Sequence, residues 1–349
     1  MRPNTELRTS RHNVTAALLC LLVSACGSPQ AVSVTPSPSP GITPSPSPVP
    51  SPSPSPVLTE PALPAPAAGS LPGQNLAMSG EMKYPLLVQV ENTDASRPQA
   101  GIAAGSVIFH YLTEGGITRL SVLFHHVPGV VGPVRSARFV SVYLYHRFDA
   151  LLLCSGGSKW TYDKIFADPG TPAIINDFDY GKHYFRWSGR AAPHNLYIKQ
   201  DKLLELGNGD FRPPKSDDLL RSTTWAGTEA VTTINVPDLR STFTYSGGTY
   251  GVVTDGKPQA DVVFGSVRPH SVVVMHVRQW IDPVVQDAEG GHVHDFDLNS
   301  GGTAEIYANG TVIRGRWKSP AENQPLQFTD AGGNPVGLPA GQAWVELAS

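Results

Sequence analysis

A proline–serine repeat near the start of the chain limits which residues can fold. Pro and Ser alternate from Pro36 to Pro56, within a stretch from Ser28 to about Pro72 that is dominated by Pro, Ser, Ala and Thr. Proline fixes φ and favours the extended polyproline helix, and such a composition cannot bury a core. The segment from Thr35 to Val57 would reach about 70 Å at ~3.1 Å per residue. We expect residues 26–75 to form a flexible Pro/Ser-rich stalk, either bare or O-glycosylated on Ser and Thr.

The first residues have the pattern of a lipoprotein signal peptide. Three arginines precede the apolar run Val14 to Val23, which is shorter than the about 20 residues that span a bilayer. The segment Leu22 to Cys26 resembles a lipobox, which implies cleavage after Ala25 and a diacylglycerol on the Cys26 sulfur. Residues 1–25 are therefore predicted to be removed, and Cys26 to anchor the mature protein to the extracytoplasmic face of the cell membrane. The alternative is a plain secretory signal with an incidental cysteine.

Cysteine usage requires a conventional hydrophobic core. Of the three cysteines, Cys20 leaves with the signal and Cys26 carries the lipid, so only Cys154 remains. One thiol cannot form an internal disulfide. The chain beyond the stalk is long enough for one large or two medium domains.

The net charge argues against a nucleic-acid partner. The full chain carries −3, and loss of the signal peptide, with its three Arg and one Glu, leaves about −5. Clusters of Lys or Arg that would bind anionic lipid are also absent from the sequence, so the lipid on Cys26 is the expected membrane contact.

Short apolar runs predict an N-terminal domain with a mixed sheet and helices. The predicted strands, bounded by Gly, Pro or Asn, are Leu86–Val90, Ser106–Leu112, Thr118–His125 and Asp149–Cys154. Apolar residues at helical spacing predict a helix over Ser136–Arg147.

The second half is dominated by strand patterns. The predicted strands are Ser241–Tyr245, Val262–Phe264, Ser271–Val277, Ala304–Tyr307 and Thr311–Trp317, with a tight hairpin turn at Asn309-Gly310. A polar, Pro-rich stretch from Arg212 to Asp218 suggests a domain boundary. We predict an α+β fold: a mixed-sheet domain over 76–215, followed by a smaller, mostly β domain over 225–349.

Polar residues at the ends of predicted strands mark a candidate site. The candidate ligand-binding residues are Arg97, Arg119, Arg135, Arg138 and Asn195. Loops at strand ends commonly carry binding groups, and guanidinium groups can hold phosphate or carboxylate through paired hydrogen bonds. Alternatively, each Arg pairs with a nearby carboxylate to join loops, the candidates being Glu91, Asp94, Glu114 and Asp149.

The same segments resemble a known family. The motifs Arg97-Pro98-Gln99, Glu114 to Arg119 and Gly132 to Arg138 are similar to those of the YerB-like bacterial lipoproteins, whose domains are described as being of unknown function. A looser similarity covers Gly301 to Leu347. The resemblance implies a two-domain envelope lipoprotein and supplies no reaction. Usual members have an acidic residue where His110 stands, so a carboxylate that a site could use is missing there.

Standard catalytic and metal-binding signatures are absent from the sequence, and no cofactor or metal is expected. Cys154 could act as a nucleophile with His194 as base, but a small buried residue is the preferred interpretation. The run His292 to Asp297 offers only two ligands per strand face, which favours a polar hairpin over a zinc site. Ser155 and Ser158, beside Gly156-Gly157, are better suited to a turn that approaches a ligand.

Aromatic residues between Gly157 and Asn195 allow two interpretations. Aromatic faces among polar residues suit the apolar faces of sugars, and they suit core packing equally well. The residues concerned are Trp160, Tyr162, Tyr180, Tyr184, Phe185, Trp187 and Tyr197.

Three classes of function remain. The preferred one is a binding module for an anionic envelope component, either a glycan or a phosphate. The second is an enzyme acting on an envelope polymer or lipid-linked phosphate, with Glu114, Asp149 or His194 as acid or base. The third is a structural lipoprotein that binds a partner protein.

Overall fold

The computed structural model describes residues 70–167, 174–210, 224–287, 289–321, 324 and 326–349. The expected signal peptide, Cys26, most of the stalk and the boundary stretch from Arg212 to Asp218 lie outside these residues. The α-helices within them are α1 (Phe139–Arg147), α2 (Lys159–Phe166) and α3 (Gln200–Gly207). Short 3-10 turns occupy Asp94–Ser96, Ile102–Ala104, Glu114–Gly116, Gly181–His183 and Pro237–Leu239.

Strands make up most of the remainder. Those before residue 210 are β1 (Leu86–Glu91), β2 (Val107–Leu112), β3 (Thr118–Phe124), β4 (Val130–Val131), β5 (Leu151–Cys154), β6 (Ile174–Asn176), β7 (Tyr184–Arg186) and β8 (Leu196–Lys199). Those after residue 224 are β9 (Glu229–Ala230), β10 (Thr233–Val236), β11 (Ser241–Ser246), β12 (Thr249–Thr254), β13 (Lys257–Pro258), β14 (Ala260–Asp261), β15 (Gly265–Ser266), β16 (Ser271–His276), β17 (Gln279–Val285), β18 (His292–Phe296), β19 (Gly302–Ala308), β20 (Thr311–Lys318), β21 (Gln327–Asp330) and β22 (Ala343–Ala348).

One mixed sheet runs through both halves of the chain. Its strand order is β21-β20-β19-β16-β22-β2-β3-β1-β5-β6, with β9 beside β20. The last strand, β22, lies between β16 and β2 and is parallel to both. On the other side of β2, β1 is antiparallel to β3 and parallel to β5, which is parallel to β6. The sheet therefore joins the two regions that the sequence predicted as separate domains.

Both faces of the sheet are covered by other elements, so the side chains of the central strands are buried on both sides. All six residues of β1 are buried. One face packs against the antiparallel sheet β10-β11-β12-β13, with Val88 and Trp344 in the same apolar cluster as Phe243. On the other face, Leu87 and Phe109 share a cluster with residues of α1. A separate hairpin, β17-β18, also lies on the α1 side, where β18 packs against α1.

The predicted α+β fold, with a mixed sheet and a mostly β second half, is confirmed. The hairpin turn at Asn309-Gly310 is confirmed too, since both residues have positive φ between the paired Ala308 and Thr311. The predicted bounds of the strands agree with the structure to within two residues, apart from the strand predicted over Val262–Phe264.

Three local expectations need correction. The helix predicted from Ser136 begins at Phe139, because the chain before it stays extended beside β1, where Arg135 N donates to Gln89 O at 2.9 Å. The strand predicted over Val262–Phe264 is a turn, because the Asp261 carboxylate accepts the N–H groups of Val263 and Phe264. Leu71, within the expected stalk, is buried in an apolar cluster.

Replacing Trp344 by Ala should destabilise the whole sheet. Trp344 is fully buried on β22 and packs edge-on against His110 and Phe243. Loss of a buried aromatic side chain costs about 3–5 kcal/mol. Because β22 pairs with both halves, urea unfolding followed by circular dichroism should show one cooperative transition at a lower midpoint. Trp160→Ala, at a half-exposed position, is the matched control and should change stability by about 0.5 kcal/mol or less. Two transitions, only one of them shifted, would show that the halves unfold separately.

Candidate functional site

The carboxyl ends of the parallel strands β1, β5 and β6 meet at one edge of the sheet. The chain continues from them through Asn92, Ser155 and Asp177. The N-termini of α1 and α2 begin at the same edge, since α1 follows the extended segment beside β1 and α2 follows the turn after β5. Ligands of sheets with parallel strands commonly bind at such an edge, where first-turn N–H groups lack partners inside their own helix.

Strand register places three arginines on the α1 face of this edge. Arg119 lies opposite Glu91 on one side and opposite Tyr111 on the other. Arg135 is held beside Gln89 by its backbone, and Val134 bridges Val90 on the opposite face. Arg138 caps the start of α1. We call Arg119, Arg135 and Arg138 the arginine cluster.

Arg138 and Glu114 form a buried bidentate ion pair. Arg138 Nε donates to Glu114 Oε2 at 2.7 Å, and Nη2 donates to Oε1. Burial raises the pKa of Glu114, but the hydrogen bonds and charge of Arg138 outweigh it and hold that pKa below its usual value. Glu114 is therefore a carboxylate at neutral pH and is poorly suited to donate a proton.

Arg119 is the most deeply buried member of the cluster. Its Nη1 donates to Ser136 O at 3.0 Å, and within the described residues its Nε has no hydrogen-bond partner. Burial, followed by the charge of Arg138, lowers the pKa of Arg119 to about 9. A buried guanidinium whose charge is opposed in this way would gain from a nearby anion.

A hydrogen-bond network of hydroxyl groups around the Gln89 amide lies next to the arginine cluster. Gln89 Oε1 accepts hydrogen bonds from Tyr111, Ser121 and Ser141 at 2.7–2.9 Å. Ser141 Oγ also accepts from Arg138 N at 3.0 Å, which ties the network to the start of α1. Burial raises the pKa of Tyr111, so its hydroxyl remains a proton donor.

A cavity of about 330 Å³ lies beside Arg138. Its lining residues are Ser136, Arg138, Ser155, Gly156, Gly157, Ser158, Phe178, Gln286 and Asp287. We call it the strand-end pocket. It combines the ends of β5 and β6 with residues that follow β17, so both halves of the chain contribute to it.

The turn after β5 shapes the floor of the pocket. Ser158 caps α2, accepting from Thr161 N at 3.1 Å, and Ser155 donates to Asp177 at 3.0 Å. Gly156 has φ +73°, and a Cβ there would lie 2.9 Å from the ring of Phe178. The turn therefore needs glycine both for its backbone and for the close approach of the ring.

His194 and Glu91 form a dyad next to Arg135. His194 Nδ1 lies 2.8 Å from Glu91 Oε1, which also accepts from Thr93, and Arg135 Nε lies 3.5 Å from Glu91 Oε2. Glu91 is buried, whereas the His194 side chain is 27% exposed. The carboxylate fixes the ring with its proton on Nδ1 and leaves Nε2 as the nitrogen available to a ligand.

Other candidates lie elsewhere or have internal roles. Arg97 donates to Thr254 O, Asn92 O and Asp255, which joins two loops. Asn195 donates to Trp187 O and Arg190 O and accepts from Arg186, so it shapes its own loop. Asp149 precedes β5 at the opposite end of the sheet from the cluster.

Cys154 and His110 are buried residues of the core. Cys154 is fully buried, and burial raises the pKa of its thiol to about 12, so it remains a thiol. His110 lies on the face opposite the arginine cluster, where its Nδ1 is 2.8 Å from Glu346. The acidic residue expected at this position would therefore also point away from the site.

Sequence reasoning missed several residues of the pocket. Phe178 follows the short apolar run Ile174-Ile175. Because binding groups commonly lie in the loops after buried strands, this position could have been recognised as a candidate. Gln286 and Asp287 carry no local signal, because they reach the site through the β17-β18 hairpin. Of the aromatic residues proposed for sugar contact, Tyr184, Trp187 and Tyr197 are buried, while Trp160 is half exposed.

No group of three or more His, Cys, Asp or Glu arranged to hold a metal occurs in the described ranges. His292 and His294 instead contact Pro283 O and Gln279 across the β17-β18 hairpin. None of the helices in the described part of the chain is long and apolar enough to cross a membrane.

Comparisons with known proteins match both halves of the chain. The model of the "Protein of unknown function (DUF3048) N-terminal domain" matches residues 72–211, and that of the C-terminal domain matches residues 232–345. The chain is 28% identical over 260 residues to "Putative lipoprotein YerB" of Bacillus subtilis (strain 168), covering 68% of this chain and 73% of that protein. The crystal structure of the YerB protein from Bacillus subtilis matches with a TM-score of 0.63 and 25% identity, over 76% of this chain and 91% of that one.

Replacing Glu114 by Gln should destabilise the protein in a pH-dependent way. Removing one partner of a buried ion pair costs about 3 kcal/mol or more. Because the folded pKa of Glu114 is depressed, its contribution is present above the unfolded pKa of about 4.3 and is lost as the pH falls through the lower folded value. The free-energy difference between wild type and variant, from urea unfolding, should therefore be constant near neutral pH and shrink below about pH 4. Glu81→Gln, at an exposed position, should show little difference at any pH. A difference that persists undiminished in acid would contradict the ion-pair explanation.

Proposed function

The chain belongs to the YerB-like family with the two DUF3048 domains, and on this basis we propose that it is a lipid-anchored, extracytoplasmic protein that binds an anionic group of an envelope polymer. The resemblance recognised in the sequence is thereby confirmed. The binding site is assigned to the strand-end pocket and the adjoining arginine cluster.

Anchoring is supported by the sequence and by the relative's name. The lipobox-like segment ending at Cys26 fits the word lipoprotein in the name of the Bacillus subtilis relative. The stalk that follows would hold the folded part away from the bilayer, on the extracytoplasmic side.

The charge balance of the arginine cluster supports anion binding. Three guanidinium groups, of Arg119, Arg135 and Arg138, face two carboxylates, Glu91 and Glu114. Among these five groups one positive charge is left in excess, in a partly buried position where electrostatic attraction is stronger than in water. Within the described chain, the buried Arg119 Nε has no hydrogen-bond partner, and Arg135 Nε has only the 3.5 Å ion-pair contact with Glu91 Oε2. An anion would supply the missing acceptors.

The starts of α1 and α2 add uncharged backbone donors beside the pocket. Arg138 and Ser136 line it, and the N-termini of α1 and α2 open beside it. First-turn amides and the helix dipole favour phosphate or carboxylate. The joint presence of Arg138 in the cluster and in the pocket lining is the observation that carries the proposal.

The His194–Glu91 dyad supports a second candidate, an enzyme acting on the bound polymer or on a lipid-linked phosphate. Of the three catalytic candidates, Glu114 is engaged by Arg138 and Asp149 lies at the far end of the sheet. His194 alone is partly exposed and oriented by a buried carboxylate, as a general base requires.

Anion binding can be tested by isothermal titration with inorganic phosphate and pyrophosphate. Wild-type protein should bind, and Arg135→Ala should weaken binding by about tenfold or more, since it removes a charge-assisted contact worth roughly 1.5–3 kcal/mol. Arg135 suits this test because its side chain is 29% exposed and its loss should leave the fold intact.

Arg316→Ala is the matched control for the loss of one positive charge. Arg316 is exposed on β20, in the other half of the chain. Its replacement should leave the affinity unchanged. Equal weakening by both variants would indicate a nonspecific charge effect, and failure of the wild type to bind either anion would refute the proposed site.

Replacing Cys26 by Ser should abolish lipid attachment. In bacteria grown with a clickable palmitate analogue, the wild-type chain should be labelled and Cys26→Ser should not, because the thioether to diacylglycerol cannot form. Cys20→Ser alters a cysteine inside the predicted signal peptide and should leave labelling intact. Labelling that survives loss of Cys26 would place the lipid elsewhere.

A further inference from the structure

A buried acceptor without a partner faces the strand-end pocket. Gln286 lines the pocket and is only 5% exposed, and its Oε1 has no hydrogen-bond partner in the ranges described. Its Nε2 donates to Thr161 Oγ1 at 3.3 Å, and its backbone N donates to Gly291 O at 2.6 Å. These bonds fix both the backbone of Gln286 and the amide group of its side chain. An unpaired buried acceptor is costly, and a ligand that donates a hydrogen bond would relieve it.

A phosphate suits this role poorly, because its oxygens are mainly acceptors at neutral pH. Asp287, next to Gln286 in the lining, is an acceptor that would also repel an anion. Its Oδ1 already accepts from Gly291 N at 2.7 Å, which fixes the carboxylate in place. This wall of the pocket therefore favours an uncharged group that carries hydroxyls.

Another part of the lining favours an anion. Arg138 contributes its guanidinium there, with Nε and Nη2 also donating to Glu114, and the hydroxyl of Ser136 already donates to Ser155 O. The lining thus combines a cationic group from the first half of the chain with acceptors from the second half. A ligand that satisfies both must carry an anionic group and hydroxyl groups a few ångströms apart.

An exposed aromatic ring completes the lining. Phe178 is 80% exposed, although its ring lies against Gly156 at the pocket floor. A phenylalanine side chain is seldom so exposed to solvent. The face of an aromatic ring packs well against the C–H face of a sugar ring. A cavity of about 330 Å³ lies at the lower end of the range for small-ligand pockets, which suits one sugar unit with its phosphate.

We infer that the strand-end pocket recognises a phosphorylated sugar, with the phosphate at Arg138 and the sugar hydroxyls at Gln286 and Asp287 over the ring of Phe178. This inference rests on the proposed anion site and specifies its ligand class. The source of the sugar phosphate, whether a glycan unit or a soluble metabolite, does not alter the contacts.

Titration of purified full-length protein with inorganic phosphate and with glucose 1-phosphate tests the inference. The sugar phosphate should bind about tenfold more tightly than phosphate, as expected for one stacked ring and one satisfied buried acceptor. Phe178→Ala and Gln286→Leu should each reduce the affinity for glucose 1-phosphate several-fold and leave the affinity for phosphate unchanged. Arg135→Ala should reduce both affinities by a similar factor.

Controls separate the two proposals. Phe166→Ala removes an equally exposed ring on α2 that does not line the pocket, and should change neither affinity. Phe178 is exposed, so its variant keeps the test valid even where Gln286→Leu fails to fold. Equal affinities for phosphate and glucose 1-phosphate would overturn the sugar assignment and leave the anion site standing. Binding of neither probe would overturn both.

Discussion

The insertion of the last strand, β22, between β16 and β2 is the interaction on which the rest of the structure depends. Because β22 is parallel to both neighbours, a tight hairpin cannot place it, and it joins a strand of the first half to a strand of the second half. Its register brings Glu346 against His110, both fully buried, and Glu346 also accepts a hydrogen bond from Trp344 at 2.8 Å. A shift of one residue would turn Glu346 to the other face and remove the buried hydrogen bond that it shares with His110, so this hydrogen bond enforces the register.

That register also positions the candidate site. With β2 fixed by β22, β3 and β1 follow through their antiparallel pairs, which set Arg119 beside Glu91 and Tyr111. The alternation of strand side chains then decides which groups meet: Gln89 and Glu91 face α1 with the arginine cluster, whereas Val90 faces the core on the other side. Arg119 is consequently held by β3, and Arg135 by a segment whose backbone is hydrogen-bonded to β1. The arginines of the cluster stay near each other despite their mutual repulsion because Glu91 and Glu114 offset part of their charge.

Local features of this fold were predictable from the sequence, and long-range ones were not. Short apolar runs that contain β-branched residues predict the strands around Val88, Val122 and Val273. The residue types Asn309-Gly310 predict the hairpin turn. The helix start was misplaced because apolar residues at helical spacing do not reveal that the backbone before Phe139 stays extended beside β1. The structure brings Arg119 together with Arg135 and Arg138, because β3 and the segment before α1 lie beside the same strand, β1. Arg97 instead pairs with Asp255, which lies far along the chain and which no local pattern reveals.

The contribution of Gln286 and Asp287 has a consequence for how the two family domains work. The N-terminal match ends at residue 211 and holds the arginine cluster, while the C-terminal match, from residue 232, holds both acceptor residues of the pocket. The hairpin that carries them is fitted closely to the first half, since a Cβ at Gly291 would lie 2.9 Å from Glu114 Cβ. Neither domain alone therefore forms the pocket. In the proposed assignment the first domain supplies attraction for the anion and the second supplies discrimination among anions, so divergence in the β17-β18 hairpin could change the ligand without altering the charge that binds it.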